Sequence, residues 1–339
     1  MTSNRRVVLA SRPVGAPRES DLRFENAEIP ALREGELLLE AQWLSLDPYM
    51  RGRMSDDKSY AQPIPIGGVM VGRTIGLVAA SRHPRFAVGD TVLATSGWQT
   101  HFVSDGSGLR KLDAGLSRPS LALGVLGNSG LAAWVGLMRV ARLQAGETLA
   151  IAAATGPVGA TAVQLAKMQG ARVIAIAGGA EKVTYAREVL GADEALDHRA
   201  PDFAERLAAA AGPGGVDVYF ENVGGEVLHA VLPHLNDRAR LAICGLIAWY
   251  NLAGPPAGPD HSPALMRTIL RKRLRVEGFV LTDWADEHDA FVARMSQWLA
   301  EGRIAFREHV VERFEDAPRA FIGLLEGRSF GKTIVRMTA

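Results

Sequence analysis

The sequence comprises 339 residues, with 38 Lys and Arg against 37 Asp and Glu, so its net charge is +1. This balance excludes a strong polyanion-binding field, and the single cysteine excludes an internal disulfide framework and a multi-cysteine zinc site. The length and the 47% apolar content suit two ordinary globular domains. No segment has the pattern of a secretory signal or a membrane span, so we expect a cytoplasmic protein without nucleic-acid or membrane partners.

The chain begins with β-type segments that Gly and Pro interrupt. GELLLEAQWLSLD, VMVGRTIGLVAA and VGDTVLATSG each mix alternating and continuous apolar runs, which favours a compact, partly barrel-like sheet. The last residues, with IAFREHVVERF and KTIVRM, return to the same pattern. We therefore predict one β-rich domain built from both chain ends, residues 1–123 and 305–339.

Residues 124–304 alternate strand-like runs with segments of helical length. The strand-like runs are ETLAIAAA, RVIAIA, EALDH, VDVYFEN, RLAICG and LRVEGFV. ATAVQLAKMQG follows the first of them, and DEHDAFVARMSQWLAEG follows the last. Apolar strands with helical crossovers form parallel sheets, so we predict a central Rossmann domain with a doubly wound parallel sheet.

The turn after the first of these strands predicts a dinucleotide site. It reads ATGPVG over 154–159, a G-x-G-x-x-G pattern with alanine in place of the first glycine. Gly156 would let the backbone approach a pyrophosphate, and Gly159 would let the helix pack closely on the strand. Pro157 and Val158 begin that helix, whose N-terminus offers N–H groups and a positive dipole end. The alternative is a tight turn without a ligand.

The end of the second strand predicts which dinucleotide is bound. A carboxylate that holds the ribose is expected about 20 residues after the glycine turn. Gly178 and Gly179 stand there instead, and Lys182 follows. The glycines leave room for a 2′-phosphate and the lysine can pair with it, so the predicted cofactor is NADP(H). Glu181 is expected to face solvent, and the alternative for Lys182 is a solvated residue in a first helical turn.

The remaining metal-binding and nucleophilic side chains show no catalytic pattern. His83 and His101 have no partners at ligand spacing, so no metal is predicted. Cys244 has no histidine at a recognisable spacing and is interpreted as a packed residue. Asp47 and Arg51 could form a local, structural ion pair.

Several segments occur in the order found in one family. They are LDPYMRGRM (46–54), AAATGPVGA (152–160), AIAGGAEK (175–182), YFENVGG (219–225), CGLIAWYN (244–251), GFV (278–280) and FGKTIV (330–335). Over nearly its whole length, the chain resembles the zinc-independent branch of the medium-chain dehydrogenase/reductase superfamily. Within that branch it is similar to the NADP-dependent alkenal and prostaglandin reductases and to bacterial curcumin reductase.

The resemblance implies a GroES-like domain from both chain ends, a central Rossmann domain and a homodimer. It also implies NADPH-dependent reduction of a carbon–carbon double bond conjugated to a carbonyl. Tyr250 occupies the position of a tyrosine near the substrate carbonyl, and Tyr49 lies in a segment that lines the substrate cleft. The implied contacts with the cofactor, from its 2′-phosphate to its nicotinamide, are carried by Lys182, His198, Asn222, Val223, Gly224, Cys244, Leu246, Tyr250, Phe279, Val280 and Ser329.

The chain departs from the family pattern at three places. Residues 128–133 read NSGLAA where Met-Pro-Gly-x-Thr-Ala is common, so Ala132 lacks a hydroxyl that could contact the cofactor. Ser329 replaces a common asparagine, which could weaken a nicotinamide contact. His198 stands where many relatives carry a tyrosine, and a histidine can still donate a hydrogen bond there.

Three functions stay open at this point. The leading hypothesis is reduction of an enone or enal, with Tyr250 donating a hydrogen bond to the developing enolate. Quinone reduction on the same scaffold is the enzymatic alternative, and a cofactor-binding protein without turnover is the third. Tyr250, Tyr49 and Asn222 also have packing or turn-forming interpretations.

Overall fold

The computed structural model describes residues 3–113, 115–116, 118–256 and 258–338. In chain order, the strands are β1 (Asn4–Leu9), β2 (Leu22–Ala27), β3 (Leu37–Ser45), β4 (Thr74–Ser81), β5 (Thr91–Ala94), β6 (His101–Ser104), β7 (Arg110–Lys111), β8 (Thr148–Ile151), β9 (Arg172–Ala177), β10 (Glu194–Asp197), β11 (Val216–Glu221), β12 (Leu235–Ile243), β13 (Arg275–Gly278), β14 (Glu308–Val311) and β15 (Lys332–Arg336). The α-helices are α1 (Tyr49–Arg53), α2 (Asn128–Val135), α3 (Pro157–Met168), α4 (Ala180–Glu188), α5 (Phe203–Ala211), α6 (Gly225–Val231), α7 (Ser262–Lys272), α8 (His288–Ala300) and α9 (Ala317–Leu325).

The chain forms two compact units. The end unit comprises Met1–Leu123, Tyr250–Ala253 and Glu308–Ala339, and the central unit comprises Gly124–Trp249 and Gly254–Arg307. No helix among the described residues combines the length and the apolar character that crossing a membrane requires.

Both chain ends contribute to one sheet in the end unit. This seven-stranded sheet has the order β14-β15-β3-β4-β5-β7, with β6 also paired to β3. The C-terminal strand β15 runs antiparallel to β3 and places Val335 opposite Leu44. The core of this unit contains residues from both ends of the chain, and Trp98 meets Phe321 edge to face with ring centroids 5.6 Å apart. The predicted β-rich domain built from both chain ends is confirmed.

The central unit contains a six-stranded parallel sheet in the order β10-β9-β8-β11-β12-β13. This is the order of a doubly wound dinucleotide-binding sheet, so the predicted Rossmann fold is confirmed. The strand order reverses between β8 and β11, and ligands bind such sheets beyond the carboxyl ends of the strands at this point. The helices pack apolar faces on the sheet, as α3 does with Ala162, Leu165 and Ala166, which are all buried.

A buried amide holds the segment where the chain leaves the central unit. The Gln164 side chain in α3 donates to the carbonyl of Ala305 at 2.9 Å and accepts from its N–H at 2.7 Å. These two bonds attach residue 305 to the Rossmann helix layer. The passage into the end unit accordingly lies at Arg307 and Glu308, slightly beyond the boundary drawn from the sequence at 305.

Candidate active site

The turn between β8 and α3 brings the predicted phosphate-binding residues to a helix N-terminus. Gly156 is the N-cap of α3, and Pro157 is its first residue. The first intrahelical bond runs from the N–H of Ala160 to the carbonyl of Gly156 at 2.8 Å. The N–H groups of Val158 and Gly159 precede that bond in the first turn, where the helix dipole is positive. The arrangement suits an anionic ligand.

Close packing at this turn requires glycine at position 159. A Cβ atom on Gly159 would lie 2.3 Å from the carbonyl oxygen of Ala153 and 2.8 Å from the Cα of Ala154. On Gly156 it would lie 3.3 Å from the same carbonyl. Ala153 has a φ of 51°, a left-handed conformation that is uncommon for alanine. Nothing in the sequence marks Ala153, because the glycine motif identifies only its neighbours.

The turn after β9 depends on glycine and on a carboxylate from the next strand. Gly179 is the N-cap of α4 and has a φ of 95°, which favours glycine. Asp197, the last residue of β10, accepts hydrogen bonds from the N–H of Gly179 at 3.0 Å and of Arg199 at 2.9 Å. These bonds hold the pKa of Asp197 below its usual value. Asp197 thus attaches the glycine turn to β10.

Three basic side chains surround this turn, and we call Lys182, His198 and Arg199 the basic cluster. A Cβ atom on Gly178 would lie 2.9 Å from both His198 Nε2 and Arg199 Nε, so a larger residue would displace them. Partial burial, and then the charge of Arg199, lower the pKa of Lys182. The same two causes lower the pKa of His198.

Burial is the larger cause of both shifts, and the charges of Glu181 and Asp197 oppose them. The smaller contribution is repulsion between the cations, which a phosphate dianion would relieve. The basic cluster therefore fits the 2′-phosphate of NADP(H). Arg199 was missed in the sequence, because only the pairing of β10 with β9 brings it to the glycine turn. The neighbouring acid Glu181 is 77% exposed and lies 3.6 Å from the guanidinium of Arg307.

The loop after β11 is held from two sides. The Asn222 amide donates to the carbonyl of Ala152 at 2.9 Å, beside the end of β8. The backbone carbonyl of Asn222 accepts from Ile247 N–H at 3.3 Å, and that of Val223 accepts from Ala248 N–H at 2.9 Å. The predicted residues Asn222 and Val223 thus lie at the ends of β8 and β11. The hydrogen bond from the Asn222 side chain to the Ala152 carbonyl links the backbones of the two strand ends.

The loop after β12 lies against this one. Gly224 has a φ of 78°, and a Cβ atom there would lie 3.3 Å from the indole of Trp249. The carbonyl of Leu246 accepts from the N–H of Trp249 at 2.9 Å. Burial raises the pKa of the Cys244 thiol to about 12, so the thiolate is absent at neutral pH. This agrees with a packing role for Cys244.

Phe279 and Val280 follow β13 and are half-buried. The ring of Phe279 meets that of Phe220 edge to face, with centroids 6.4 Å apart. A Cβ atom on Gly136 would lie 2.4 Å from the Phe220 ring and 3.0 Å from the Phe279 ring. The ring of Phe279 is thus a packing group, and contacts of Phe279 and Val280 with a nicotinamide stay predictions.

Tyr49 is the first residue of α1 in the end unit and lies near the partly buried ion pair of Asp47 and Lys332. Burial, and then the charge of Asp47, raise the pKa of Tyr49, so its hydroxyl is neutral. The predicted ion pair of Asp47 with Arg51 is wrong. Asp47 accepts a hydrogen bond from Lys332, which lies far away in the sequence, while Arg51 donates to loop carbonyls, including that of Gly15 at 2.8 Å.

Tyr250 and Ser329 also lie in the end unit, and both are half-buried. Their predicted contacts with substrate and cofactor stay predictions.

Across the described ranges, no three His, Cys, Asp or Glu side chains form a group that could hold a metal ion. His83 Nδ1 accepts a hydrogen bond from Arg85 N–H at 3.1 Å, and His101 Nδ1 lies 3.0 Å from Thr100 Oγ1. Both histidines have local partners.

Comparison with known protein families gives one match in each of the two units. Residues 5–112 match the family model described as the N-terminal domain of oxidoreductase, and residues 157–299 match the model described as zinc-binding dehydrogenase. With the sheet order and the glycine turn, these matches define the chain as a two-domain oxidoreductase of the dinucleotide-binding class.

Individual relatives narrow the class. The chain is 51% identical to the NADPH-dependent curcumin reductase of Escherichia coli over 98% of this chain and 97% of that protein. It is 40% identical to prostaglandin reductase 1 of Rattus norvegicus over 95% of both chains. The structure of CurA from Vibrio vulnificus in complex with NADPH matches with a TM-score of 0.95 and 50% identity, over 99% of both chains. The chain belongs to the zinc-independent branch of the medium-chain dehydrogenase/reductase family.

Proposed function

We propose that this chain uses NADPH to reduce the carbon–carbon double bond of α,β-unsaturated ketones and aldehydes. The observation that carries the proposal is the nearly full-length similarity to the curcumin reductase at 51% identity. The chain is an NADP-dependent oxidoreductase of the double-bond reductase group. The basic cluster supports NADP(H) as the cofactor, because it offers cations where a ribose-binding carboxylate would favour NAD(H).

The residues that would hold the cofactor follow the strand ends of the central unit. Val158 and Gly159 would donate N–H groups to the pyrophosphate, and the basic cluster would bind the 2′-phosphate. The nicotinamide would lie against the backbone of Asn222 and Val223. Cys244 and Leu246 would line the cofactor, and Phe279 and Val280 would contact the nicotinamide. Ser329 would stand in place of the asparagine common in the family, with a weaker nicotinamide contact.

When bound, NADPH supplies the hydride that adds to the β-carbon of the substrate. Negative charge then develops on the carbonyl oxygen, and a hydrogen-bond donor placed there lowers the barrier. Tyr250 is the proposed donor, since a phenol can donate while it stays neutral at pH 7. Tyr49 is the second tyrosine proposed to contact the substrate. Water can deliver the α-carbon proton, so the site needs no strong acid.

A homodimer and a cytoplasmic location belong to the same proposal. On α7, Met266 and Leu270 are 62% and 79% exposed and lie one helical turn apart, and on β13 Val276 is 44% exposed. The short edge strand β13 pairs only with β12 among the described residues. An open strand edge beside an exposed apolar helix face suits pairing with a second copy.

A panel assay tests the proposed reaction. The protein is mixed with NADPH and, separately, with enones, enals or quinones, and nicotinamide absorbance is followed, with NADH in parallel. We expect consumption with enones and enals, saturated carbonyl products by mass spectrometry, and preference for NADPH. Consumption with quinones alone would replace the proposal with quinone reduction, and tight NADPH binding without turnover on any acceptor would favour a binding protein.

A further inference from the structure

A fully buried acid lies beneath the loops that would support the nicotinamide. Glu221 is the last residue of β11 and is 0% exposed. Apart from an interaction with the hydroxyl of Tyr219 on the same strand face, its Oε2 atom has no hydrogen-bond partner among the described residues. Burying a carboxyl in an apolar core is unfavourable unless hydrogen bonds compensate.

The compensation comes from the loop 222–224. The Oε1 atom of Glu221 accepts a hydrogen bond from the N–H of Val223 at 2.5 Å. Burial raises the pKa of Glu221. The N–H groups of Val223 and Gly224, then the hydroxyl of Tyr219, and finally the N–H of Asn222 act in the opposite direction. One buried carboxyl therefore organises the backbone of the loop that follows it.

The main chain of Glu221 binds the neighbouring loop 244–249 as well. Its carbonyl accepts from the N–H groups of Cys244 at 2.9 Å and Gly245 at 3.2 Å. Ala248 in turn donates to the carbonyl of Val223 at 2.9 Å. Glu221 thus lies where the loops after β11 and β12 meet, on the inner side of both.

We propose that Glu221 is a positioning residue that fixes the loop 222–224 and thereby the orientation of the bound nicotinamide. The expected effect of Glu221 on enone reduction rests on the proposed function. Its expected effect on the order of loop 222–224 does not depend on turnover. Glu221 is not proposed to touch the cofactor or the substrate. It acts through the backbone N–H groups that its carboxyl holds.

The chain offers a matched control on the same strand. Asp217 lies toward the opposite end of β11, and its carboxylate also accepts a backbone hydrogen bond, from Thr148 at 2.9 Å. Glu221→Met keeps the length of the side chain and removes the hydrogen-bond acceptor, whereas Glu221→Gln keeps a weaker acceptor. Asp217→Leu and Asp217→Asn make the same two kinds of change at the other end of the strand and serve as controls.

The first measurement is hydrogen exchange of residues 222–224 in the protein without cofactor. We expect exchange to be about tenfold faster in Glu221→Met, intermediate in Glu221→Gln and unchanged in both Asp217 variants. Wild-type exchange in a folded Glu221→Met variant, or the same acceleration in Asp217→Leu, would overturn the inference. Should Glu221→Met fail to fold, Glu221→Gln decides alone, since exchange equal to that of the wild type would overturn the inference.

The second measurement compares the dissociation constants of NADPH and of 2′,5′-ADP, which carries the phosphates but no nicotinamide. Glu221→Met should raise the dissociation constant of NADPH by about tenfold and change that of 2′,5′-ADP by less than about twofold. Enone turnover should fall and recover largely in Glu221→Gln. Equal loss for both ligands would indicate general damage and overturn the inference. If the wild-type protein binds NADPH but reduces no enone, the proposed function is refuted but the inference about Glu221 is not. The hydrogen-exchange rates and the NADPH dissociation constants still test the role of Glu221 in that case.

Discussion

At the scale of single residues, we propose that the basic cluster determines cofactor choice. Partial burial, and then the charge of Arg199, lower the pKa of Lys182, while the charge of Glu181 acts in the opposite direction, so part of the shift reflects repulsion between two cations. A 2′-phosphate relieves this repulsion, whereas the free 2′-hydroxyl of NADH does not. We therefore expect the preference for NADPH to depend on at least two side chains.

Lys182→Ala and Arg199→Ala should each raise the KM for NADPH by roughly 10- to 100-fold, as expected for the loss of a hydrogen bond between charged groups. The KM for NADH should change by less than about threefold. Steady-state kinetics with both cofactors tests this prediction. Arg187→Ala, which removes a different cation from the helix that contains Lys182, is the control. Equal effects on the two cofactors would contradict a phosphate-binding role.

Tyr250 is the residue on which the proposed chemistry depends. Tyr250→Phe removes the hydroxyl and keeps the ring, so kcat for enone reduction should fall by about 10²-fold, as for loss of an oxyanion donor. The dissociation constant of NADPH should stay nearly unchanged, and Tyr185→Phe serves as the control. If Tyr250→Phe turns over at the wild-type rate, another group stabilises the enolate.

At the scale of elements, two glycines in the turn between β8 and α3 are expected to have different roles: Gly159 in stability and Gly156 in cofactor binding. A Cβ atom at position 159 would overlap backbone, whereas one at position 156 would make a single tight contact, 3.3 Å from the carbonyl oxygen of Ala153. Gly159→Ala should therefore lower the free energy of unfolding by about 1–3 kcal/mol. Gly156→Ala should cost less stability than Gly159→Ala and should weaken NADPH binding, because Gly156 is expected to let the backbone approach the pyrophosphate. Denaturant unfolding and NADPH titration of both variants test this, and an equally destabilised Gly156→Ala would contradict the assignment.

The same element shows what the sequence could predict. Alternating apolar strands and helices predicted the Rossmann sheet, and the glycine spacing placed the turn at Gly156 and Gly159. Arg199 and Glu221 were not found, because each acts through neighbours that only strand pairing or loop packing brings close. The mistaken pair of Asp47 and Arg51 has the same cause, since the partner of Asp47 is Lys332 on the last strand.

At the scale of the whole molecule, the proposed homodimer depends on α7 and β13. Leu270→Asp should shift the protein toward the monomer, because a carboxylate cannot be buried in an apolar interface without a large desolvation cost. Light scattering after size exclusion measures the mass. Val88→Asp, at a 67% exposed apolar position in the end unit, is the control. A wild-type monomer, or a Leu270→Asp dimer, would contradict this interface.

The central claim is that hydride reaches the β-carbon of a conjugated carbonyl compound. The most direct test is turnover of an enone with NADPH deuterated at the transferable position of the nicotinamide, followed by mass spectrometry and NMR of the product. The account predicts a saturated ketone with deuterium at the β-carbon. An allylic alcohol with deuterium at the carbonyl carbon, or no product at all, would contradict it.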